Sequence, residues 1–359
     1  MIKNKSIFIT GGAGYVGSRL VTELLKEGYK VTVYDIMYYG HDFFPKSNNL
    51  DIVEGDIRDS ANLEKTSRNH DVFLNLACIS NDNSFELDEN LSTSINLSAF
   101  EPMVIAAKKA KIKRFIYAST SSVYGVSKKK EVKEDHPLVP LTLYNKYKGM
   151  CEPMLFKHTD KNFEGVIFRP ATVCGYAPRQ RFDLSVNILT NHAINNKKIT
   201  VFGGDQLRPN LHILDYCEVV KILVNAESEK IKNQIFNVGY QNMSINEIAQ
   251  VVKKTVEAEF PEIENIPVIK TKSNDNRSYH INSDKIKDVL GFKASRTIED
   301  AIKELCEKFK NNEFDNSLEN DIYFNIKRMK NLKVSWKKSQ NINFSIQKRS
   351  YIILIYIFK

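Results

Sequence analysis

Through the first half of the chain, short runs that are apolar throughout alternate with longer stretches whose apolar residues recur every three or four positions. Residues 6–9 form the first run, and Val16, Leu20, Val21, Leu24 and Leu25 mark one face of the segment that follows. The first reads as a strand, the second as an amphipathic helix. The strand pattern returns at 30–34, 50–53, 71–77, 114–118 and 166–168. One long helix is predicted over 89–109 from Leu91, Ile95, Leu97, Val104 and Ile105, with Pro102 disturbing a turn; another runs from Tyr144 to about Thr159 despite Pro153. Strands that are apolar without alternation are buried on both faces, as in parallel sheets. The pattern therefore predicts an α/β fold on a doubly wound parallel sheet.

Beyond residue 174 the rhythm changes. Residues 179–194 read as long loops and a helix, and 199–205 as a strand and turn. A helix over 215–227 and a strand over 234–238 resemble a return to the first unit. Capping boxes start at Ser244 and Thr297, the second ahead of Ile302, Leu305 and Phe309. The predicted organisation is a first domain of residues 1–174, completed by about 205–240, and a smaller α/β domain from 175–204 and 241–315 lying over the strand C-termini. In open α/β sheets that crevice is where ligands bind.

Composition changes this picture little. The chain has 359 residues and a net charge of +9, but from Ile322 onward there are nine Lys or Arg and no acid, which leaves 43 basic against 43 acidic residues elsewhere. The body is balanced, so a nucleic-acid surface is not expected. Cysteines at 78, 151, 174, 217 and 306 are odd in number and lack ligand spacing. A reduced, cytoplasmic setting without a metal site or disulfide framework is expected. The first strand begins too early for a signal peptide, and no apolar run approaches the roughly 18 residues of a membrane span. Residues 331–359 show no convincing pattern; their apolar end, 351–358, is a strong β-former. An edge strand, a membrane-surface contact, an assembly contact and an unselected extension fit it equally.

The turn Thr10-Gly11-Gly12-Ala13-Gly14-Tyr15-Val16-Gly17 joins the first strand to the first helix. Its glycines have the spacing of a dinucleotide site: one makes the tight turn, one admits the pyrophosphate, one lets helix and strand pack. The pyrophosphate then meets the free N–H groups of a helix N-terminus. Asp35, closing the second strand, is placed to accept hydrogen bonds from the adenosine ribose, and residues 35–39 offer no arginine for a 2′-phosphate. The cofactor predicted is NAD rather than NADP.

Two further segments carry chemistry. Thr120 follows the fifth strand within Ser119-Thr120-Ser121-Ser122, and Tyr144 and Lys148 lie four apart, one turn along a helix. A tyrosine is a poor base at neutral pH, and a neighbouring ammonium favours its phenolate. Tyr144 is thus the candidate base for a sugar hydroxyl, Thr120 an orienting hydroxyl, and Lys148 the ammonium that also holds the nicotinamide ribose. Tyr147, the rival base, points elsewhere on the helix.

With these residues the sequence resembles the extended short-chain dehydrogenase/reductases, specifically NAD-dependent nucleotide-sugar epimerases and dehydratases. The resemblance runs from about Lys5 to Phe309 and includes Gly55-Asp56-Ile57, Leu76-Ala77, Asn96 and the stretch from Arg208 to Asp215. It implies a Rossmann NAD-binding domain, a nucleotide-sugar domain and a homodimer. It implies cofactor contacts from Gly11, Gly14, Tyr15, Val16, Gly17, Asp35, Asp56, Ile57, Leu76, Ala77, Asn96, Tyr144 and Lys148, and the catalytic set Thr120, Tyr144 and Lys148. It also implies contacts to a nucleotide-diphosphate sugar from Arg208 and Arg277, with Ser80, Thr172, Arg179, Arg181 and Asn187 as further candidates. Two departures narrow the reaction. Ser121 and Ser122 stand where the 4,6-dehydratases carry Asp-Glu, which disfavours water elimination. Thr172 stands where many epimerases carry an asparagine at the diphosphate. The stretch 177–187 resembles a subgroup that includes GDP-heptose 4-dehydrogenases. An epimerase working through C4 oxidation is the leading expectation, ahead of a 4-dehydrogenase; decarboxylation and a non-catalytic NAD-binding protein rank lower.

Overall fold

The computed structural model describes residues 5–80, 84, 86–127, 129, 131–272 and 278–334; Arg277 and the tail from residue 335, with Trp336, lie outside the described residues. In chain order the strands are β1 (Ser6–Thr10), β2 (Lys30–Asp35), β3 (Leu50–Glu54), β4 (Val72–Asn75), β5 (Arg114–Ala118), β6 (Glu164–Pro170), β7 (Thr172–Cys174), β8 (Ile199–Phe202), β9 (Leu207–His212), β10 (Gln234–Val238), β11 (Gln241–Ser244) and β12 (Val268–Thr271). The helices are α1 (Tyr15–Lys26), α2 (Ser60–Ser67), α3 (Glu89–Thr93), α4 (Phe100–Lys109), α5 (Leu143–Lys157), α6 (Ser185–Asn195), α7 (Ile213–Asn225), α8 (Ser228–Ile231), α9 (Ile245–Glu259), α10 (Asp284–Leu290), α11 (Ile298–Lys310) and α12 (Asn325–Asn331).

Seven strands form one sheet in the order β10-β6-β5-β4-β1-β2-β3, every pairing parallel. The chain winds outward from β1 through β2 to β3, then returns to build β4, β5 and β6 on the other side. The strand order thus reverses between β1 and β4, and a crevice opens at their C-terminal ends. This is the doubly wound, Rossmann-type α/β architecture the apolar runs predict. Its inner strands are apolar on both faces because both are covered, whereas the edge strand β3 is largely exposed. Leu20, Val21 and Leu24 of α1 and Val220, Leu223 and Val224 of α7 bury one face. Leu63 of α2, Met103 and Val104 of α4 and Leu155 of α5 bury the other.

A separate apolar cluster joins Val186 and Leu189 of α6, Ile199 and Val201 of β8, Ile248 and Val252 of α9, and Ile302 and Cys306 of α11. Both predicted capping boxes are formed, Ser244 with Glu247 and Thr297 with Asp300. Two small sheets, β11-β9-β7 and β12-β8, stand apart from the seven-stranded sheet, and β8 belongs to this cluster.

The helix expected over 89–109 is broken into three. After α3 the chain makes a π-helical turn, Ser94–Ser98, and restarts as α4. Pro102 then falls in the first turn of α4, where its missing N–H removes no helical bond. The π-turn sets Asn96 inward, against the segment after β4.

Candidate functional site

The crevice is a cavity of about 640 Å³ that runs from the glycine turn past the ends of β4 and β5 to α6, β8 and β9. Its floor is the turn between β1 and α1. Gly11 has φ +75°, and a Cβ there would lie 2.5 Å from the Ala77 nitrogen; a Cβ at Gly17 would lie 2.5 Å from the Gly12 carbonyl oxygen. The turn therefore presses against the end of β4 and against the first turn of α1, and only glycine fits both contacts. Gly14 caps α1 without a side-chain hydrogen bond, and the first turn carries no acid. These N–H groups and the helix dipole face the cavity as an anion site.

Asp35 stands beside this turn. Its carboxylate accepts from Ala13 N and Met37 N, both at 3.0 Å. Burial raises its pKa, against those backbone bonds and the nearby charge of Arg179. A carboxylate has four acceptor positions, so it retains capacity for ribose hydroxyls. Tyr15, Val16, Asp56, Ile57, Leu76 and Ala77 also line the cavity. Asn96 does not; it sits just behind, donating to Ile79 O at 2.8 Å and accepting from Ile79 N at 2.9 Å, and so holds the segment after β4 in place.

The chemical end is built on β5 and α5. Thr120 follows β5 and caps a short 3-10 turn, Ser121–Tyr124, accepting from Ser122 N at 3.2 Å. Its hydroxyl is 2.8 Å from Ser122 Oγ, which in turn donates to Asn145 Oδ1. Tyr144 and Lys148 of α5 line the same space, and the buried Lys148 ammonium donates to Ala118 O at 2.8 Å, at the very end of β5. Below them, Ser119 Oγ donates to Glu152, which forms a buried two-point ion pair with Arg169; that arginine also donates to Tyr124 OH at 2.6 Å. This network locks the strand end that carries Thr120. Tyr147 is outside the lining, 3.4 Å from Thr93 Oγ1.

The remaining substrate candidates divide. Thr172 and the largely buried Arg208 line the far half of the cavity, together with Leu189, His192, Phe202 and Tyr279. Asn187 was expected at the diphosphate but is fully buried away from the lining, donating to Tyr15 OH at 3.1 Å and Arg181 O at 2.9 Å and accepting from Gly175 N at 3.1 Å. Arg179 and Arg181 do line the cavity, but on the glycine-turn side. Arg179 N donates to Ser18 Oγ at 3.1 Å, and its guanidinium lies 3.5 Å over the Tyr39 ring. Arg181 pairs with Asp183 and donates to Ser80 Oγ at 3.1 Å. Arg277 lies outside the described residues.

Sequence reasoning missed Tyr39, Asn325 and Met329, which also line the cavity. Asn325 and Met329 come from α12, after the predicted substrate domain ends, and no local motif marks them. Part of the basic excess from Ile322 onward is used here: Arg328 donates to Tyr38 O at 2.7 Å and pairs with Asp321, and Lys327 pairs with Glu319.

The site fits NAD on its own evidence. The glycine cradle, Asp35 with spare acceptor positions, and two buried arginine nitrogens without partners, Arg179 Nε and Arg181 Nη2, all border one cavity. Among the described residues no helix is long and apolar enough to cross a membrane.

Known proteins align with this reading. A UDP-glucose 4-epimerase of Rhizobium meliloti (strain 1021) is 26% identical over 310 residues, spanning 81% of this chain and 93% of that protein. A dTDP-glucose 4,6-dehydratase of Streptomyces niveus is 23% identical over 325 residues, spanning 85% and 93%. Among solved structures, the UDP-glucose 4-epimerase of Thermotoga maritima with UDP-glucose matches with a TM-score of 0.76 at 22% identity, covering 86% of this chain and 100% of that one. The dTDP-glucose 4,6-dehydratase DesIV of Streptomyces venezuelae, determined with NAD, matches with a TM-score of 0.75 at 21% identity, covering 86% and 98%. The model of the NAD dependent epimerase/dehydratase family matches residues 7–239, and the chain belongs to that family.

Proposed function

We propose that the protein is a nucleotide-sugar epimerase that oxidises and re-reduces the sugar at C4. The observation that carries this is the make-up of the chemical end. Thr120, Tyr144 and Lys148 share the cavity with the glycine turn, and among the described residues the only carboxylates lining it are Asp35, Asp56 and Asp183. Those three stand by the glycine turn, the segment after β3 and the Arg181 loop. Elimination of water from a sugar needs an acid and a base at the reacting carbons. Ser121 and Ser122 offer hydroxyls there, and Ser122 is already tied to Thr120 and Asn145.

NAD, when bound, takes a hydride from a sugar carbon and can return it. Tyr144 removes the proton of the O4 hydroxyl as the C4 hydrogen departs. Lys148, fixed by Ala118 O, keeps positive charge beside the phenolate. Arg181 also lies within electrostatic reach of Tyr144. Thr120 hydrogen-bonds the same substrate oxygen and sets its angle. If the ketone turns over in the cavity before hydride returns, C4 is inverted and Tyr144 gives its proton back. The far half of the cavity, where Thr172, Leu189, His192, Phe202 and Tyr279 stand, holds the nucleotide, with Arg208 on the diphosphate.

The alternative is a 4-dehydrogenase that releases the keto sugar, supported by the resemblance over 177–187. Incubation of the purified protein with UDP-, GDP-, CDP- and dTDP-sugars, read by chromatography and mass, tests the proposal. A product of unchanged mass and new retention time is expected. A mass lower by one water means dehydratase, and loss of two hydrogens with standing absorbance near 340 nm means dehydrogenase.

A further inference from the structure

The chain after α11 crosses back to the cofactor side of the cavity. Phe182 stacks on Phe309, Phe314 meets both edge to face, Tyr323 meets Phe182 edge to face, and Phe182 N donates to Tyr323 O at 2.9 Å. From this anchor α12 is laid across the loop that carries Arg179 and Arg181. Asn325 is its hub. Its Oδ1 accepts from Arg179 Nη2 at 2.7 Å and Tyr39 OH at 2.9 Å, its Nδ2 donates to Ser80 Oγ at 3.0 Å, and its backbone N donates to Asp183 at 3.0 Å. Arginine has only donors, so the amide oxygen must face Arg179. One turn on, Met329 packs against Ile79 and Leu91.

The two arginines are held in an unusual state. Arg179 is 3% exposed and Arg181 7%, and each keeps one buried N–H, at Nε and Nη2, without a protein acceptor. Asp183 answers Arg181, but among the described residues no carboxylate bonds to Arg179, whose pKa burial pushes down to about 10. Such a pair is short of negative charge, and a buried guanidinium is costly until it is paired. Position says which anion. The loop is pinned to the first turn of α1 by Arg179 N to Ser18 Oγ and by Tyr15 OH to Gly175 O at 2.7 Å. The charge of Arg179 acts on Asp35, and that of Arg181 on Tyr144. Between the ribose-reading carboxylate and the hydride-end phenol, over a glycine turn, lies the place of the cofactor's pyrophosphate.

We propose that Arg179 and Arg181 clamp the NAD pyrophosphate against the glycine turn, and that α12, through Asn325 and Met329, straps the clamp shut so that the cofactor stays bound through successive turnovers. The inference rests on the NAD site and not on which sugar reaction follows. A retained cofactor suits a reaction that returns its hydride.

The test is exchange of bound NAD for isotopically labelled NAD in the full-length protein, followed by native mass spectrometry. Asn325→Ala should speed exchange by about tenfold to a hundredfold, the loss of charge-assisted hydrogen bonds. Arg179→Gln and Arg181→Gln should lower the NAD occupancy of the purified protein. Because the arginine variants remove buried groups and risk misfolding, Arg328→Ala is the second probe. It unlatches α12 from Tyr38 at a half-buried position and should speed exchange while thermal melting stays cooperative. Wild-type exchange rates in folded Asn325→Ala and Arg328→Ala protein would overturn the strap. An unchanged NAD occupancy with a raised KM for nucleotide sugar in the arginine variants would overturn the clamp and assign both guanidiniums to substrate. Absence of NAD binding in the wild type would strike the NAD site itself, a separate failure.

Discussion

At one end of the cavity Thr120, Ser122, Asn145 and Lys148 bond to one another or to the main chain beside them; at the other, Arg179 and Arg181 each keep a buried N–H that no protein group accepts. Apart from Asn145 Nδ2, each group of the first set has a protein partner before any ligand arrives. The first set stands on the end of β5 and on α5; the Glu152–Arg169 pair ties α5 to β6, and Ser119 at the end of β5 donates to the same Glu152. The second stands on a loop and is held by a helix from the far end of the chain. Groups that must act at an angle are preorganised on rigid elements. Groups that must hold a charged cofactor are left for that cofactor to complete.

This contrast can be broken by substitutions that should separate chemistry from holding. Tyr144→Phe should cut turnover by about 10²–10⁴-fold, the usual share of a proton-transfer group, while NAD occupancy by native mass spectrometry stays at the wild-type level. Comparable turnover would remove Tyr144 from the chemistry; lost occupancy would show that the ends are not separate. Gly11→Ala attacks the other end. With φ +75° and a backbone contact at 2.5 Å, it should cost about 2–4 kcal/mol of stability and empty the site of NAD. Thermal melting with and without added NAD measures both effects. Arg208→Ala touches neither end and should raise the KM for nucleotide sugar roughly tenfold to a hundredfold with kcat less affected. An unchanged KM would move the diphosphate elsewhere. Ser122→Ala is the finest probe. It should slow turnover by about threefold to tenfold without changing KM, because it frees the Thr120 hydroxyl to rotate. A pure KM effect would place Ser122 on the substrate instead.

The same contrast explains which parts of the molecule are legible in its sequence. Gly11, Gly14 and Gly17 report a turn, and Tyr144 and Lys148 a helix face, because the relevant spacing lies within one element. The parallel sheet was legible in its unbroken apolar runs. Arg179 and Arg181 are visible as chemistry, with the substrate as their expected ligand; the structure sets them over the Tyr39 ring and against Ser80 and Asp183. Their neighbours are set by contacts no spacing encodes. Asn325 meets Arg179 across 146 residues and Tyr39 across 286. Asn187 looked like a ligand-binding amide and instead props Tyr15 and the loop that follows β7. The single long helix over 89–109 failed for a local reason, a π-turn that turns Asn96 toward Ile79 and leaves Pro102 in a first turn.

The central claim, that hydride leaves C4 and comes back to it within one closed site, is tested most directly by isotope. The purified protein, with the NAD it carries, is mixed with UDP-, GDP-, CDP- and dTDP-hexoses deuterated at C4, and the product is analysed by NMR while absorbance near 340 nm is followed. The account predicts one class of sugar whose product keeps deuterium at an inverted C4, with no standing reduced cofactor. Deuterium accumulating on the cofactor, with a keto sugar released in equal amount, would contradict it.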